Sequence, residues 1–364
     1  MRFAYALAIV GWCAGWCVGR FRAMPSRLDP PASSTSVVIP ARNEAGRLPG
    51  LLAGLDCDQV EVIVVDDSSS DATAAIARRA GAHVVEASPP PGWTGKAFAC
   101  WTGAQHATGD VIVFVDADVE ATTAGILAVG ARATRVRGLV SVQPFHRTQR
   151  VYEQASALPN VVAAMGAGTG AASAPQWWRR PAAYGMVLAV ARSAYDAAGG
   201  HETVRGEVVE DLALARAVAA TGAPVESWCG GEGLRMRMYG EGPRQLIEGW
   251  SKNLAAGAGT VPPVRLAFVV AWIAACAQAC VIGVNALLGA GTVPFVVAVG
   301  CYAIFAAQAA WFAGRIGTFR RGVLLALPVL VGAFGALFAL ALYKTLVRRS
   351  VVWRGRRFDL GSAR

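Results

Sequence analysis

Val111-Ile-Val-Phe-Val-Asp-Ala-Asp-Val119 decides how the rest of the chain is read. Five consecutive β-branched or aromatic apolar residues predict an interior strand, and Asp116 and Asp118 then fall at its C-terminal end. Open α/β sheets place their ligands at that end. Two acids one residue apart supply the hard oxygens that a divalent cation carrying a phosphate requires, and such a cation takes only one or two protein carboxylates. The competing use of an acid here is a helix cap, because residues 121–135 read helical. One cap does not need two acids.

Upstream of that strand the chain alternates. Ser36-Val-Val-Ile-Pro40 reads as a first strand, residues 48–55 as a short helix, and residues 60–65 as a second strand that runs into Asp66-Asp-Ser-Ser-Ser-Asp71. Ser70 or Asp71 is positioned to cap a helix over 72–80, and Gly81 to stop it. Residues 83–86, 97–107 and 110–115 follow as strand, helix and strand. This order predicts an α/β fold with a mainly parallel sheet and its crevice at the carboxyl edge. Glu44, Asp66/Asp67 and Asp116/Asp118 all land on that edge, where a carboxylate can also accept hydrogen bonds from a nucleobase or ribose.

Two other segments carry chemistry. Pro89-Pro-Pro-Gly-Trp-Thr-Gly95 leads into Lys96 at a helix start, so that charge and helix dipole together can close over phosphates; the alternative is a solvated lysine. Glu210-Asp211 precedes a helix expected over 212–221 and reads equally as a general base or as a cap.

Composition frames the rest: 364 residues, 54% hydrophobic and only 16% charged, suit neither a disordered chain nor an ordinary soluble domain. The excess apolar residues cluster, giving an N-terminal membrane anchor (1–22), an α/β domain (23–262), membrane helices (263–343) and a basic cytoplasmic tail (344–364). In the first, Phe3 to Gly19 is followed at once by Arg20, Arg22 and Arg27, which retain the C-terminal end in the cytoplasm; an uncleaved anchor is favoured over a signal peptide. Apolar blocks at 264–290, 293–314 and 322–343 are each long enough to cross a bilayer. Arg315, Arg320 and Arg321 in one loop and the basic tail both belong inside, which three full crossings cannot satisfy. The third block, with Pro328, is therefore expected to be re-entrant or interfacial.

The net charge of +10 lies largely in the tail, where Lys344 to Arg364 holds seven basic residues against Asp359. That pattern is an anionic-lipid contact rather than a nucleic-acid surface, because no basic face interleaved with aromatics occurs in the α/β domain. The eight cysteines lack any CxxC or Cys/His spacing, so disulfides and a structural metal are not expected.

Val37-Val-Ile-Pro-Ala-Arg-Asn-Glu44, Val64-Val-Asp-Asp-Ser-Ser-Ser-Asp71 and Val115-Asp-Ala-Asp118 resemble the successive motifs of family 2 glycosyltransferases, which have the GT-A fold. Gly92-Trp-Thr-Gly-Lys-Ala97 is similar to a loop of the membrane members that glycosylate isoprenoid lipids. The likeness continues through Ser141-Val-Gln-Pro-Phe145, Gly199-Gly-His201, Val209-Glu-Asp211, Arg237-Met-Tyr239 and Glu248-Gly-Trp-Ser-Lys252 to Val352-Trp-Arg-Gly-Arg-Arg357. It is strongest to members acting on carotenoid acids of the diaponeurosporenoate type, then to hopanoid-associated ones.

The resemblance implies that Pro40, Glu44, Asp66 and Asp67 face the nucleoside of a UDP-sugar and that Asp116 and Asp118 bind its diphosphate through Mg²⁺ or Mn²⁺. Asp211, beside Glu210, would be the base of an inverting transfer, and Lys96, Arg237 and Lys252 would contact the diphosphate. A hexose, glucose above others, would pass to a membrane isoprenoid lipid. One departure stands out: processive members carry Gln-x-x-Arg-Trp, whereas this chain has Gln245-Leu-Ile-Glu-Gly-Trp250, with Trp250 left as a floor for the acceptor. Single transfer is expected rather than polymerisation. Residues 152–175 with Trp177-Trp-Arg-Arg180 read as an interfacial shelf for the acceptor or as a core helix with a glycine-rich turn. A polyprenyl-phosphate or hopanoid acceptor and a non-catalytic nucleotide-sugar sensor remain the alternatives.

Overall fold

In the computed structural model, strand residues of alternating facing divide two cores. The structure describes residues 2–25, 33–168, 182–207, 209–259, 261–290, 293–348, 350–353 and 356–359. After helix α1 (Arg2–Val18) come β1 (Thr35–Ala41), α2 (Leu48–Leu52), β2 (Glu61–Asp67), α3 (Thr73–Arg79), β3 (His83–Ala87), α4 (Gly95–His106) and β4 (Val111–Val115). Then follow β5 (Val119–Ala121), α5 (Thr123–Val136), β6 (Leu139–Gln143), β7 (Phe145–His146), α6 (Ala157–Ala167), β8 (Val187–Ala191), α7 (Arg192–Ala197), α8 (Glu210–Ala220), β9 (Val225–Cys229) and β10 (Leu234–Met236). The main sheet has the order β3-β2-β1-β4-β8-β6-β9. Val37, Ile39, Val62, Val64, Val111 and Val113 face one core with α5, while Val38, Ile63, Val65, Ile112 and Phe114 face the other with α4 and α8. Burial on both faces is why these strands are continuous apolar runs rather than alternating ones.

The sheet is mainly parallel as expected, with six of its seven strands running the same way and β8 alone antiparallel, between β4 and β6. Two expectations change. The helix read from residue 121 starts at Thr123, because residues 119–121 pair with β10 in a second sheet, β5-β10-β7, and Thr122 caps α5 by accepting from Gly125 N (3.1 Å). The helix read from 212 starts at Glu210, so both acids of the pair lie in its first turn.

A third core joins α6, α9 (Pro243–Ala258), α10 (Pro263–Leu287), α11 (Phe295–Ile316) and α13 (Leu327–Tyr343), with short α12 (Arg321–Leu324) between the last two. Among the described residues two helices, α10 and α11, are long and apolar enough to cross a membrane. α1 lies along α10, where Gly11 and Gly15 leave room for Ala275 and Trp272. Buried Trp272 donates to Gln308 Oε1 (2.9 Å), and Gln308 Nε2 donates to Trp12 O (3.0 Å), a polar clamp through three helices. The third apolar block is divided at residues 325–326, with Pro328 in the first turn of α13. The 17 residues of α13 span about 25 Å, less than the ~30 Å hydrocarbon core. Residues 350–353 and 356–359 of the tail form an antiparallel pair, β11 and β12.

Candidate active site

The carboxyl ends of β1, β2 and β4 lie side by side, with Ala41 level with Asp66 across the β1–β2 ladder. Their loops open onto one cavity of about 2010 Å³. Asn43 (φ +54°) and Ser68 (φ +54°) take left-handed turns there, and the two loops are laced: Asn43 N donates to Ser69 Oγ (2.9 Å), Ser70 N to Asn43 Oδ1 (2.8 Å) and Glu44 N to Thr73 Oγ1 (2.9 Å). The N-cap of α3 is Ala72 rather than Ser70 or Asp71; Asp71, one residue earlier, still meets the start of the helix, its Oδ1 accepting from Thr73 N (3.0 Å) while Oδ2 accepts from Ala45 N (3.2 Å).

Pro40, Glu44 and Asp67 line the cavity. Glu44 pairs with Arg47 (3.0 Å), which also reaches Glu241, and Asp67 lies 3.5 Å from Arg42. Asp67 also packs against Gly95 so closely that a Cβ would collide with its carboxylate, which explains a glycine at the start of α4. Asp66 is not brought to the cavity lining: it is buried, and its Oδ1 accepts from Ser69 N (3.2 Å) to hold the turn.

Lys96 is the electrostatic centre. Thr94 caps α4 by accepting from Ala97 N (3.3 Å), and the first turn then directs Lys96 Nζ to Asp116 Oδ1 (2.8 Å) and Glu210 Oε1 (3.3 Å). Burial alone would favour the neutral amine, but Asp116, then Glu210 and Asp211, outweigh it and hold the lysine pKa well above its ordinary value. Asp211 goes the other way: burial first, then the negative charge of Glu210, pushes it up to about 6, with Lys96 and the Leu212 N–H opposing. Gly185 lies against this carboxylate, where a Cβ would come within 2.6 Å of Oδ2. Behind Lys96, burial pushes His201 down to about 3, so the ring is neutral and bonded to Tyr195 Oη (2.9 Å).

The remaining expected residues divide. Trp250 and Lys252 line the cavity; Trp250 is buried, donates to Ser156 Oγ (2.9 Å) and meets Tyr239 edge-on at 6.0 Å. Arg237 is not brought there: it binds buried Glu153 at 2.6 Å, the partner that acid needs away from water. The aromatic pair Trp177-Trp178 and Arg179-Arg180 lie outside the described residues, as do the side chains of the tail beyond Val347. Residues 157–167 are a core helix, with Met165 buried.

Sequence reasoning matched Gln143 within Ser141-Val-Gln-Pro-Phe145 without giving it a role and passed over Asn160; both lie in the cavity wall. The available signal was Asn160 as the one polar side chain in Ala-Leu-Pro-Asn-Val-Val-Ala-Ala-Met-Gly-Ala.

The carboxylates fit a divalent cation shared with a ligand phosphate. Asp116 and Asp118 supply hard oxygens at the cavity, and among the described residues no group of three or more His, Cys, Asp and Glu converges to cage an ion alone. Mg²⁺ or Mn²⁺ bound through one or two carboxylates and phosphate oxygens needs only this.

The sequence model of Glycosyl transferase family 2 matches residues 36–194. The 4,4'-diaponeurosporenoate glycosyltransferase of Staphylococcus aureus is 32% identical over 332 residues, 89% of this chain and 88% of that protein. The chain is a family 2 glycosyltransferase. The 4,4'-diaponeurosporenoate glycosyltransferase of Staphylococcus haemolyticus is 35% identical to this glycosyltransferase over 251 residues, 67% of each chain. A solved structure, the mannosyltransferase PcManGT from Pyrobaculum calidifontis in complex with GDP-Man and Mn²⁺, covers 96% of this glycosyltransferase and 99% of its own chain at 19% identity and a TM-score of 0.53. That likeness is one of fold, GT-A.

Proposed function

We propose that this glycosyltransferase moves a hexose, glucose in our reading, from UDP to a membrane isoprenoid acceptor such as a carotenoid acid, once per acceptor and with inversion. The observation that carries the reading is one cavity with Lys96, Asp116, Asp118 and Asp211 at one end and Leu266, Val269, Ile273, Phe334 and Phe338 of α10 and α13 at the other. The names of the relatives support the acceptor class.

In this reading Pro40, Glu44 and Asp67 face the nucleoside, while Lys96 and Lys252 meet the diphosphate. Asp116 and Asp118 would hold Mg²⁺ or Mn²⁺, which supplies positive charge to the leaving diphosphate. Where the acceptor brings an O–H, Asp211 takes its proton as the acceptor oxygen bonds to the anomeric carbon; where the acceptor is a carboxyl already ionised, Asp211 only orients it. In both cases the bond from that carbon to the diphosphate breaks and its electron pair leaves with UDP. Trp250 walls the acceptor side. The α/β domain would work at the cytoplasmic leaflet, with the arginines after α1 and α11 and the basic tail on the same side.

Membranes containing the protein, given UDP-[¹⁴C]glucose and a lipid extract, are expected to form a labelled lipid. Asp118→Ala should abolish it, and full activity in that variant overturns the proposed metal site.

A further inference from the structure

Two amides in the cavity wall are only half paired. Gln143 ends β6 and Asn160 lies in α6; they are 3% and 0% exposed, and Gln143 Nε2 donates to Asn160 Oδ1 at 3.0 Å. Gln143 Oε1 and Asn160 Nδ2 are buried with no hydrogen-bond partner among the described residues. A buried polar atom left without a partner is costly, so a ligand that supplies one is favoured. Turning both amides over exchanges the roles but leaves the same remainder, one N–H donor and one C=O acceptor. His146 stands 3.4 Å from Gln143 Nε2, and burial, opposed by a hydrogen bond with Asn160, keeps that ring neutral with its pKa down to about 4, so no charge intrudes.

The fold puts this pair beside the chemistry. β8 separates β6 from β4, so Gln143 is two strands, ~10 Å, from the end of the strand that carries Asp116. The residues leading into β8 include Gly185, which touches Asp211. On the other side the apolar walls of α10 and α13 begin.

We propose that Gln143 and Asn160 receive the head of the lipid acceptor and select one bearing an O–H group, an alcohol or an un-ionised carboxyl, against a phosphate. The inference rests on the lipid-acceptor reading given under Proposed function. An O–H both donates and accepts and so answers both free edges. A phosphate only accepts, which would press the free carbonyl against a negative oxygen in a poorly hydrated wall.

The test measures binding of farnesol, farnesoic acid, farnesyl methyl ether and farnesyl phosphate, four heads on one chain, to the purified full-length protein in detergent. Farnesol or farnesoic acid should bind about tenfold more tightly than the ether and the phosphate, the worth of one hydrogen bond; whichever of the two binds better names the head. The double variant Gln143→Leu/Asn160→Leu, which removes the free donor and the free acceptor whichever way the amides face, should lose that preference. It should also keep or raise the melting temperature, because two unmet polar atoms are gone. Equal or tighter binding of the phosphate, no binding of any probe, a preference that survives in the double variant, or a lowered melting temperature with loss of UDP binding overturns the proposal. Transfer from UDP-[¹⁴C]glucose to the lipid extract, measured alongside, separates the two failures: labelled lipid without head preference sinks this inference alone, and no labelled lipid sinks the reading beneath it.

Discussion

Where β1, β2 and β4 end, the cavity is walled by carboxylates that mostly have a cation within reach: Glu44 with Arg47, Asp67 with Arg42, Asp116 and Glu210 with Lys96. Where α6, α10 and α13 meet, the same cavity is walled by Val162, Ile273 and Phe338, with the amides of Gln143 and Asn160 among its polar groups. The first region holds more carboxylates than cations and so suits a divalent cation shared with a phosphate. The second leaves largely apolar space that a lipid chain can fill. The proposed transfer of sugar to lipid needs both, and the difference explains why the two regions differ in how they would fail.

The largest expected break is in the charged region. Asp211→Asn should lower the transfer rate by about 10²–10⁴, the usual worth of a positioned base. In the wild type, kcat/KM should be flat above about pH 6 and fall tenfold per unit below it, because a pKa raised to about 6 leaves the carboxylate protonated and unable to take a proton there. A near wild-type rate in the variant removes Asp211 from the role. A smaller break is Lys96→Met, which strands Asp116 and Glu210 without their shared cation; the Kd for UDP should rise about 10–100-fold by calorimetric titration. An unchanged Kd would mean that the lysine serves only to settle the acids. The smallest effect sharpens the contrast from the apolar side: Ile273→Trp, which fills the space between α10 and α13, should raise the acceptor KM about tenfold. Weaker UDP binding in that variant would show that the two regions are not separable.

Much of the charged region was legible before any coordinates. Val111 to Val115 reads as an interior strand because all five residues are buried, and Asp116 and Asp118 follow from where it stops. Arg237 and Asp66 did not behave as their motifs implied, since Glu153 and the turn at Ser69 compete for them from segments that no local pattern joins. β8 was missed for a related reason: Val-Leu-Ala-Val-Ala is short and gains its strand identity only from β4 and β6 on either side.

By itself the sequence determined the alternation of strands and helices, the acids at the strand ends and the presence of long apolar helices, because each follows from the period and composition of a contiguous run. The tertiary structure alone decided that Lys96 bridges Asp116 and Glu210, that Asp211 lies against Gly185, and that Gln143 meets Asn160. Those contacts join residues far apart along the chain, and their energies depend on burial and distance, which exist only once the layers have packed.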